Sequence, residues 1–303
     1  VRSRHVATLL LVGITAVWGS TFFLIRDVVR ALPPTDFLAV RFTIAAVVMV
    51  AVFWRPMRAL SRRQLTVGLG LGILYGVAQI LQTVGLAHTE ASRSGFITGT
   101  YVVLTPIFAA VLLRDRIPRS TWLAVLMASA GLAVLSLNGT GALGFGFGEA
   151  VTLLAAAIYA LHIIGLGHYS SPVAAAGLSA VQVVVIAVVS LVAAAPGGID
   201  LPHGGHAWAS VLYMALIAGA VALWAQTWAQ SHLNATRAAI VMTLEPVFAA
   251  GFAVALGGES LTNQMILGGA MVLAAMYTVE LIGHRADITA AQDPPAELLH
   301  HEV

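Results

Sequence analysis

The chain has 303 residues, 59% of them hydrophobic and 9% charged, with a net charge of +2 and a mean hydropathy of +0.92. A water-soluble domain carries roughly 25% charged residues, so this composition excludes an ordinary soluble core and calls for a bilayer as solvent. The absence of cysteine excludes disulfides and Cys-based metal or redox sites, and a pI near 9.3 built on so small a net charge carries no nucleic-acid signal.

A helix needs about 20 apolar residues to cross the hydrocarbon core. In chain order the candidates are Val6–Ile25, Phe37–Trp54, Leu65–Ala87, Gly95–Leu113, Thr121–Leu137, Gly148–Gly167, Pro172–Ala195, Ala207–Ser231, Ala238–Leu256 and Gln264–Gly283. Breaks with Pro, Gly or charge separate them, among them Pro33-Pro34, Pro56, Pro118, Pro196-Gly197-Gly198 and Gly257-Gly258-Glu259. The first span reads as a retained helix, because its apolar run exceeds the roughly 7–15 residues of a signal-peptide core. Residues 284–303 lose the apolar pattern and carry Asp293-Pro294-Pro295, the composition of a disordered tail. His300 and His301 there read as solvated residues.

Every basic residue is an arginine, and the arginines are unevenly placed. With the N-terminus in the cytoplasm, Arg2, Arg4, Arg55, Arg58, Arg62, Arg63, Arg114, Arg116, Arg119, Arg237 and Arg285 fall on the cytoplasmic side. Only Arg26, Arg30 and Arg93 fall outside. The positive-inside rule therefore puts both termini in the cytoplasm, with the chain in a bacterial-type inner membrane.

Sliding the sequence by 144 residues places Gln82-Thr83 on Gln226-Thr227, His88 on His232, Ala91 on Ala235 and Arg93 on Arg237. Phe108/Phe252, Asp115/Glu259 and Met127/Met271 continue the match. Near Trp18 the shift is 141, putting Tyr159 opposite Trp18 and Gln182 opposite Arg41. Residues 1–137 and 148–283 thus read as two copies joined by a Gly-rich linker, 138–147. Five spans per copy is an odd number, so the second copy is predicted to be inverted. The expected fold is an all-α membrane protein of ten transmembrane helices in two inverted five-helix repeats, a construction that secondary transporters use with the substrate at mid-membrane between the halves.

Trp18-Gly19-Ser20-Thr21-Phe22 and Arg41-Phe42 resemble the opening motifs of EamA-type members of the drug/metabolite transporter (DMT) superfamily. Thr89-Glu90-Ala91-Ser92-Arg93-Ser94-Gly95-Phe96 is similar to that family's small-residue lead into its fourth helix. Asn234-Ala235-Thr236-Arg237-Ala238-Ala239, then Glu245-Pro246-Val247-Phe248-Ala249-Ala250, Gly258-Glu259-Ser260-Leu261-Thr262 and Gly268-Gly269-Ala270 resemble its second-repeat signature. The resemblance covers all but the tail. It implies ten helices, two inverted domains and transport of solutes, often export of amino acids or other metabolites. The copies differ: Pro106 falls one turn later than Pro246 under the shift, and Leu113-Arg114-Asp115-Arg116 replaces the second copy's Gly-Glu.

A charge at mid-membrane costs about 2.5–3.5 kcal/mol on insertion scales, so polar residues inside spans carry weight. Among charged residues only Arg41, Glu149, Glu245 and Glu280 lie within spans. Glu149 and Glu280 sit near span ends and read as interfacial. Arg41 reads either as an interfacial arginine or as a cavity residue for an anionic group. Glu245 reads either as a proton or cation site or as a structural acid bonded to a neighbouring polar group such as Arg41 or a glutamine. Pro106 and Pro246 each remove a backbone hydrogen bond, which marks them as helix kinks and the carbonyls of Val102 and Met242 as groups set free. Gln79 and Gln82 share a helix face and, with Gln226, are substrate contacts or interhelical glue. Trp18, Tyr75, Tyr101, Tyr159 and Trp224 offer aromatic surface for a solute or for packing, and His162 a proton relay or a core histidine. His88 and His232 sit near span ends, and His203 and His206 alone make a weak metal site.

No His-Glu-x-x-His, Gly-x-Ser-x-Gly or Walker A motif is present, so neither an enzyme nor a self-contained ATP-driven pump is expected. No cofactor or metal is expected. The reading is a secondary transporter exporting a small metabolite by alternating access, working as a monomer or weak homo-oligomer with protons as coupling ion through Glu245. A lipid or lipid-linked sugar flippase and a solute channel are the alternatives. The cysteine-free background gives a direct test of topology. Ala59→Cys is expected to react with a membrane-impermeant thiol reagent only in inside-out vesicles, and Asp200→Cys only in intact cells.

Overall fold

The computed structural model describes residues 2–114, 119–136, 146–258, 260–271, 273–275 and 278, and these form helices without any strand. Eight helices are long and apolar enough to cross a membrane: Ser3–Val28, Pro34–Arg58, Arg62–Leu86, Arg93–Leu113, Phe147–Tyr169, Ala175–Gly197, Gly205–Gln230 and Ala235–Ala255. The expected fifth and tenth spans hold shorter apolar helices, Trp122–Gly131 and Asn263–Ala275. Most of the linker (138–145), the tail, Glu259 and Glu280 lie outside the described residues.

Local chemistry sets the ends. Pro34 opens α2 (Pro34–Arg58) at the position where a missing N–H costs nothing. Ser61 and Gln64 cap α3 (Arg62–Leu86) reciprocally, at 3.2 and 2.9 Å, satisfying two of its unpaired donors. Asn234 Oδ1 accepts from the Arg237 amide at 2.8 Å to start α11 (Ala235–Met242). Helix sides facing away from the interior stay apolar. Val111 is 72% exposed and Val192 69%, a surface that suits lipid and not water.

The interior is built by helices far apart in sequence. Helix α2 packs against α8 (Ala175–Ala194), and α3 against both α8 and α7 (Phe147–Tyr169). Helix α1 (Arg2–Val28) packs against α12 (Leu244–Ala255) and α10 (Ala222–Gln230). Small residues permit this closeness, as membrane helix pairs require. Gly68, Gly72 and Gly76 of α3 meet Val181, Val185 and Val189 of α8, and a Cβ on Gly72 would lie 2.6 Å from that of Val185. On α1, a Cβ on Gly19 would lie 2.6 Å from Phe248 Cβ and 3.0 Å from the Glu245 carbonyl. The Trp-Gly-Ser motif thus brings α12 against α1.

Two spans are divided, the fourth well before its proline and the ninth in the turn just ahead of its own. The fourth divides into α4 (Ala91–Thr98) and α5 (Tyr101–Phe108) at Gly99-Thr100. There Val102 and Val103 donate to the carbonyls three residues back, at 3.1 and 3.0 Å. Pro106 lies inside α5, beyond the break, so the kink expected at Pro106 forms instead at Gly99, a residue with poor helix propensity. The ninth divides at Thr243, where the amide bonds Ile240 O at 3.2 Å. Proline at 246 cannot donate to Met242 and crowds its carbonyl, so the turn ahead of it tightens. The Met242 carbonyl is taken by Tyr101 Oη at 2.7 Å. The eighth span also departs from a plain helix. Between α9 (Gly205–Ala215) and α10 it widens into a π-helix at Leu216–Val221.

Two stability effects follow. Gly72→Val is expected to destabilise the protein by about 1–3 kcal/mol through overpacking, while Gly70→Val, with no atom within 4 Å of its Cβ position, leaves thermal unfolding in detergent unchanged. Tyr101→Phe leaves the Met242 carbonyl without its donor and is expected to cost about 1–3 kcal/mol, read as a lower unfolding midpoint.

Candidate functional site

Polar side chains from α1, α2, α3, α4, α5, α7, α10 and α12 converge on one internal cavity, with Met242 of α11 also in the lining. The cavity volume is about 40 Å³. That is room for about three waters. The lining brings together Trp18, Arg41, Gln79, Gln82, Tyr101, Tyr159, His162, Gln226 and Glu245, from regions as distant as α1 and α12.

Arg41 is 2% exposed. Its Nε donates to the Met214 carbonyl at 3.0 Å and one Nη to Gln79 Oε1 at 3.4 Å. Its guanidinium lies 4.8 Å from the Phe42 ring centroid and 5.8 Å from that of Phe37, within cation–π range. The Met214 carbonyl comes from the last turn of α9 before the π-helix, and Trp18 Nε1 donates to Ala218 O inside that π-helix at 2.9 Å. The widened turns therefore supply acceptors that a regular helix would keep for itself.

From Gln79 the network continues. Its Nε2 donates to Tyr159 Oη, Tyr159 Oη donates to Gln82 Oε1 at 2.9 Å, and Gln82 Nε2 donates to Thr98 Oγ1 at 3.0 Å. Tyr75 presents its ring edge-on to Tyr159 and His162, at centroid distances of 5.4 and 5.0 Å. Across the cavity Tyr101 Oη lies 3.3 Å from Glu245 Oε2. Glu245 is 7% exposed, and its polar neighbour is Tyr101 rather than Arg41 or a glutamine. Among the described residues, no carboxylate lies within ion-pair distance of Arg41 and no basic group within that distance of Glu245. An arginine and a carboxyl group thus line one cavity without pairing with each other.

The structure leaves other candidates outside. Trp224 is half-buried and stacks on Phe53 with centroids 6.4 Å apart, away from the cavity lining. Pro106 and Pro246 do not line it either. Glu149 sits in the first turn of α7, at the span end its sequence position suggests, but its carboxylate is bonded within the protein rather than left to solvent. It is 7% exposed, accepting from Thr89 Oγ1 at 2.7 Å, Arg93 Nη1 at 3.1 Å and the Gly146 amide at 3.0 Å. It ties the turn between α3 and α4 to the start of α7. His88 and His232 bond the carbonyls of Val84 and Trp228 four residues back. His203 and His206 line a separate cleft with Asp27, and no group of three or more metal-ligating side chains occurs among the described residues.

Sequence reasoning overlooked Thr98, Gln182 and Gln230. Gln182 falls opposite Arg41 under the 141-residue shift and Gln230 lies one helical turn after Gln226, so repeat position and the i, i+4 face were the available signals.

Residues 5–137 and 146–281 each match the EamA-like transporter family. An uncharacterized transporter of Archaeoglobus fulgidus is 32% identical over 278 residues, spanning 92% of this chain and 87% of that protein. The uncharacterized inner membrane transporter YedA of Escherichia coli K12 is 25% identical over 88% of this chain and 87% of its own length. The uncharacterized transporter YyaM of Bacillus subtilis 168 is 25% identical over 89% and 92%. A solved crystal structure at 18% identity superposes with a TM-score of 0.76 over 93% of this chain and 99% of that one, so the fold is shared. With the family domain present twice, the chain belongs to the EamA-like transporter family and is a multi-pass membrane protein.

Proposed function

We propose that the protein is a secondary transporter of the inner membrane, both termini cytoplasmic, that exports a small zwitterionic metabolite, an amino acid or related compound, by alternating access. The observation that carries this is that Arg41 and Glu245 line one buried cavity and do not pair with each other. Charges in such a place are costly unless matched. A solute with a carboxylate and an ammonium group supplies both partners at once, with the Arg41 guanidinium taking the carboxylate.

The mechanism is read as two inverted five-helix repeats exchanging conformations. Several features support it. The breaks at Gly99 and Thr243 are 144 residues apart, as are Gln82 and Gln226 and the contacting pair Tyr101 and Glu245. Exchanging the copies converts α1 on α12 into α7 on α5, and α12 on α4 into α5 on α11, and all four packings occur. Near-equivalent halves give inward-open and outward-open forms of similar energy. The present cavity, with room for a few waters, is read as a contracted form that widens to load. Glu245 is assigned the further role of proton site.

Counterflow in proteoliposomes with a panel of L-amino acids tests this. Saturable exchange of one or more of them is expected, lowered about tenfold or more by Arg41→Gln or Glu245→Gln. The matching decarboxylated amine escapes the effect of Arg41→Gln, and the deaminated acid escapes that of Glu245→Gln. Unsaturable flux, or lipid scrambling without amino-acid exchange, contradicts the proposal. A pH dependence unchanged in Glu245→Gln removes Glu245 as the coupling site.

A further inference from the structure

Two cavity residues present polar atoms that nothing in the protein satisfies. His162 is fully buried and Gln226 is 1% exposed, yet His162 Nδ1 and Gln226 Oε1 have no hydrogen-bond partner. Both residues line the cavity, and in this contracted form both atoms are closed to water, so widening of the cavity is what opens them to a solute. An unpartnered buried acceptor is expensive, and more so where no water enters from lipid.

What these atoms are is fixed from behind. Gln182 Nε2 donates to the Leu178 carbonyl at 3.2 Å, which turns its Oε1 toward His162 Nε2, 2.8 Å away. An oxygen there demands that Nε2 carry the proton, so the neutral ring keeps a lone pair on Nδ1. Gln230 Nε2 donates to the Ile163 carbonyl at 2.9 Å, which turns its Oε1 toward Gln226 Nε2 at 3.0 Å. That leaves Gln226 Oε1 as the outward acceptor. Each carboxamide could be flipped only by facing two acceptors at each other. The repeat partner of Gln226 differs: Gln82 uses both ends of its carboxamide, on Tyr159 and Thr98.

The helices that carry the two acceptors are tied to each other and to the turn before Glu245. Gln230 ties α10 to the residue after His162. Gln226 lies 3.9 Å from Met242 Sδ, whose carbonyl holds the same Tyr101 hydroxyl that contacts Glu245. The arrangement is two neutral acceptors and one carboxylate. Resting on the zwitterion reading above, we infer that His162 and Gln226 recognise an N–H-bearing ammonium group of the solute, with Gln182 and Gln230 as the positioning residues that aim them. A primary ammonium offers three donors and a positive charge. A hydroxyl offers one donor and no charge, and a quaternary ammonium offers charge and no donor.

Two measurements on the full-length protein in nanodiscs test this. Histidine ¹⁵N spectra, with His162 identified by its loss in His162→Phe, are expected to show the proton on Nε2 and a bare Nδ1. Gln182→Leu mixes the tautomers. A proton on Nδ1 in the unmutated protein overturns the inference. Binding is then compared among L-amino acids, their N-trimethyl counterparts and the matching primary amines. The N–H forms are expected to bind about tenfold tighter or more than the trimethyl forms. His162→Phe and Gln226→Leu reduce that ratio to below about threefold. Gln230→Leu does the same while leaving trimethyl affinity intact, which general misfolding would not. Equal binding of the N–H and trimethyl forms sinks the inference and spares the zwitterion reading. Binding of amines but not amino acids does the reverse, and binding of neither sinks both.

Discussion

Lipid offers no hydrogen bonds, so every polar group inside this protein must find its partner in the protein itself or in what the protein carries. That constraint orders the interior. The carbonyl that Pro246 sets free is claimed by Tyr101 from another helix. The carbonyls of the last turn of α9 and of its π-helix are claimed by Arg41 and Trp18. Gln79, Tyr159, Gln82 and Thr98 close a chain in which each donor meets an acceptor. Among the described residues the hydroxyls of Thr43, Ser94, Thr105 and Ser190 lack partners away from the cavity lining, and His162 Nδ1 and Gln226 Oε1 lack them in residues that line it; the functional reading assigns the solute to the last two.

The repeat has been put to unequal use. Tyr101 and Glu245 occupy equivalent positions and contact each other, one as donor to a loosened backbone, the other as the cavity's carboxylate. Gln82 is consumed in the network while Gln226 keeps a free oxygen. A duplicated scaffold supplies matched helices and matched breaks, and divergence at a few positions gives the cavity a polarity from Arg41 to Glu245. Glycines keep that scaffold tight. Gly19 sits where any side chain would strike the turn that bears Glu245, which ties a sequence motif on α1 to the placement of a charge on α12.

Much of this was legible in the sequence because it depends on composition and repetition. Apolar length marks the eight long spans, and matched Gln, Thr, His and Arg mark the duplication that the family match reproduces. Buried charge singled out Arg41 and Glu245. What stayed hidden depends on which side of a helix a residue faces. Helices apolar on nearly all sides carry little amphipathic signal, so nothing distinguished Trp224, which packs on Phe53, from Trp18, which lines the cavity. The proline positions pointed to loosened backbone; the turn just ahead of Pro246 does tighten at Thr243, but the fourth span divides at Gly99, well before Pro106. Glu149 looked interfacial because its partners, Thr89 and Arg93, arrive from a distant turn.

The central claim is that Arg41 and Glu245 are joined by the solute and not by each other. A double-mutant cycle of Arg41→Gln and Glu245→Gln on thermal stability, run with and without a saturating exchanged amino acid, tests it most directly. The account predicts near-additive effects without solute and a coupling of about 1 kcal/mol or more when solute is bound. A coupling of the same size in both conditions would contradict it.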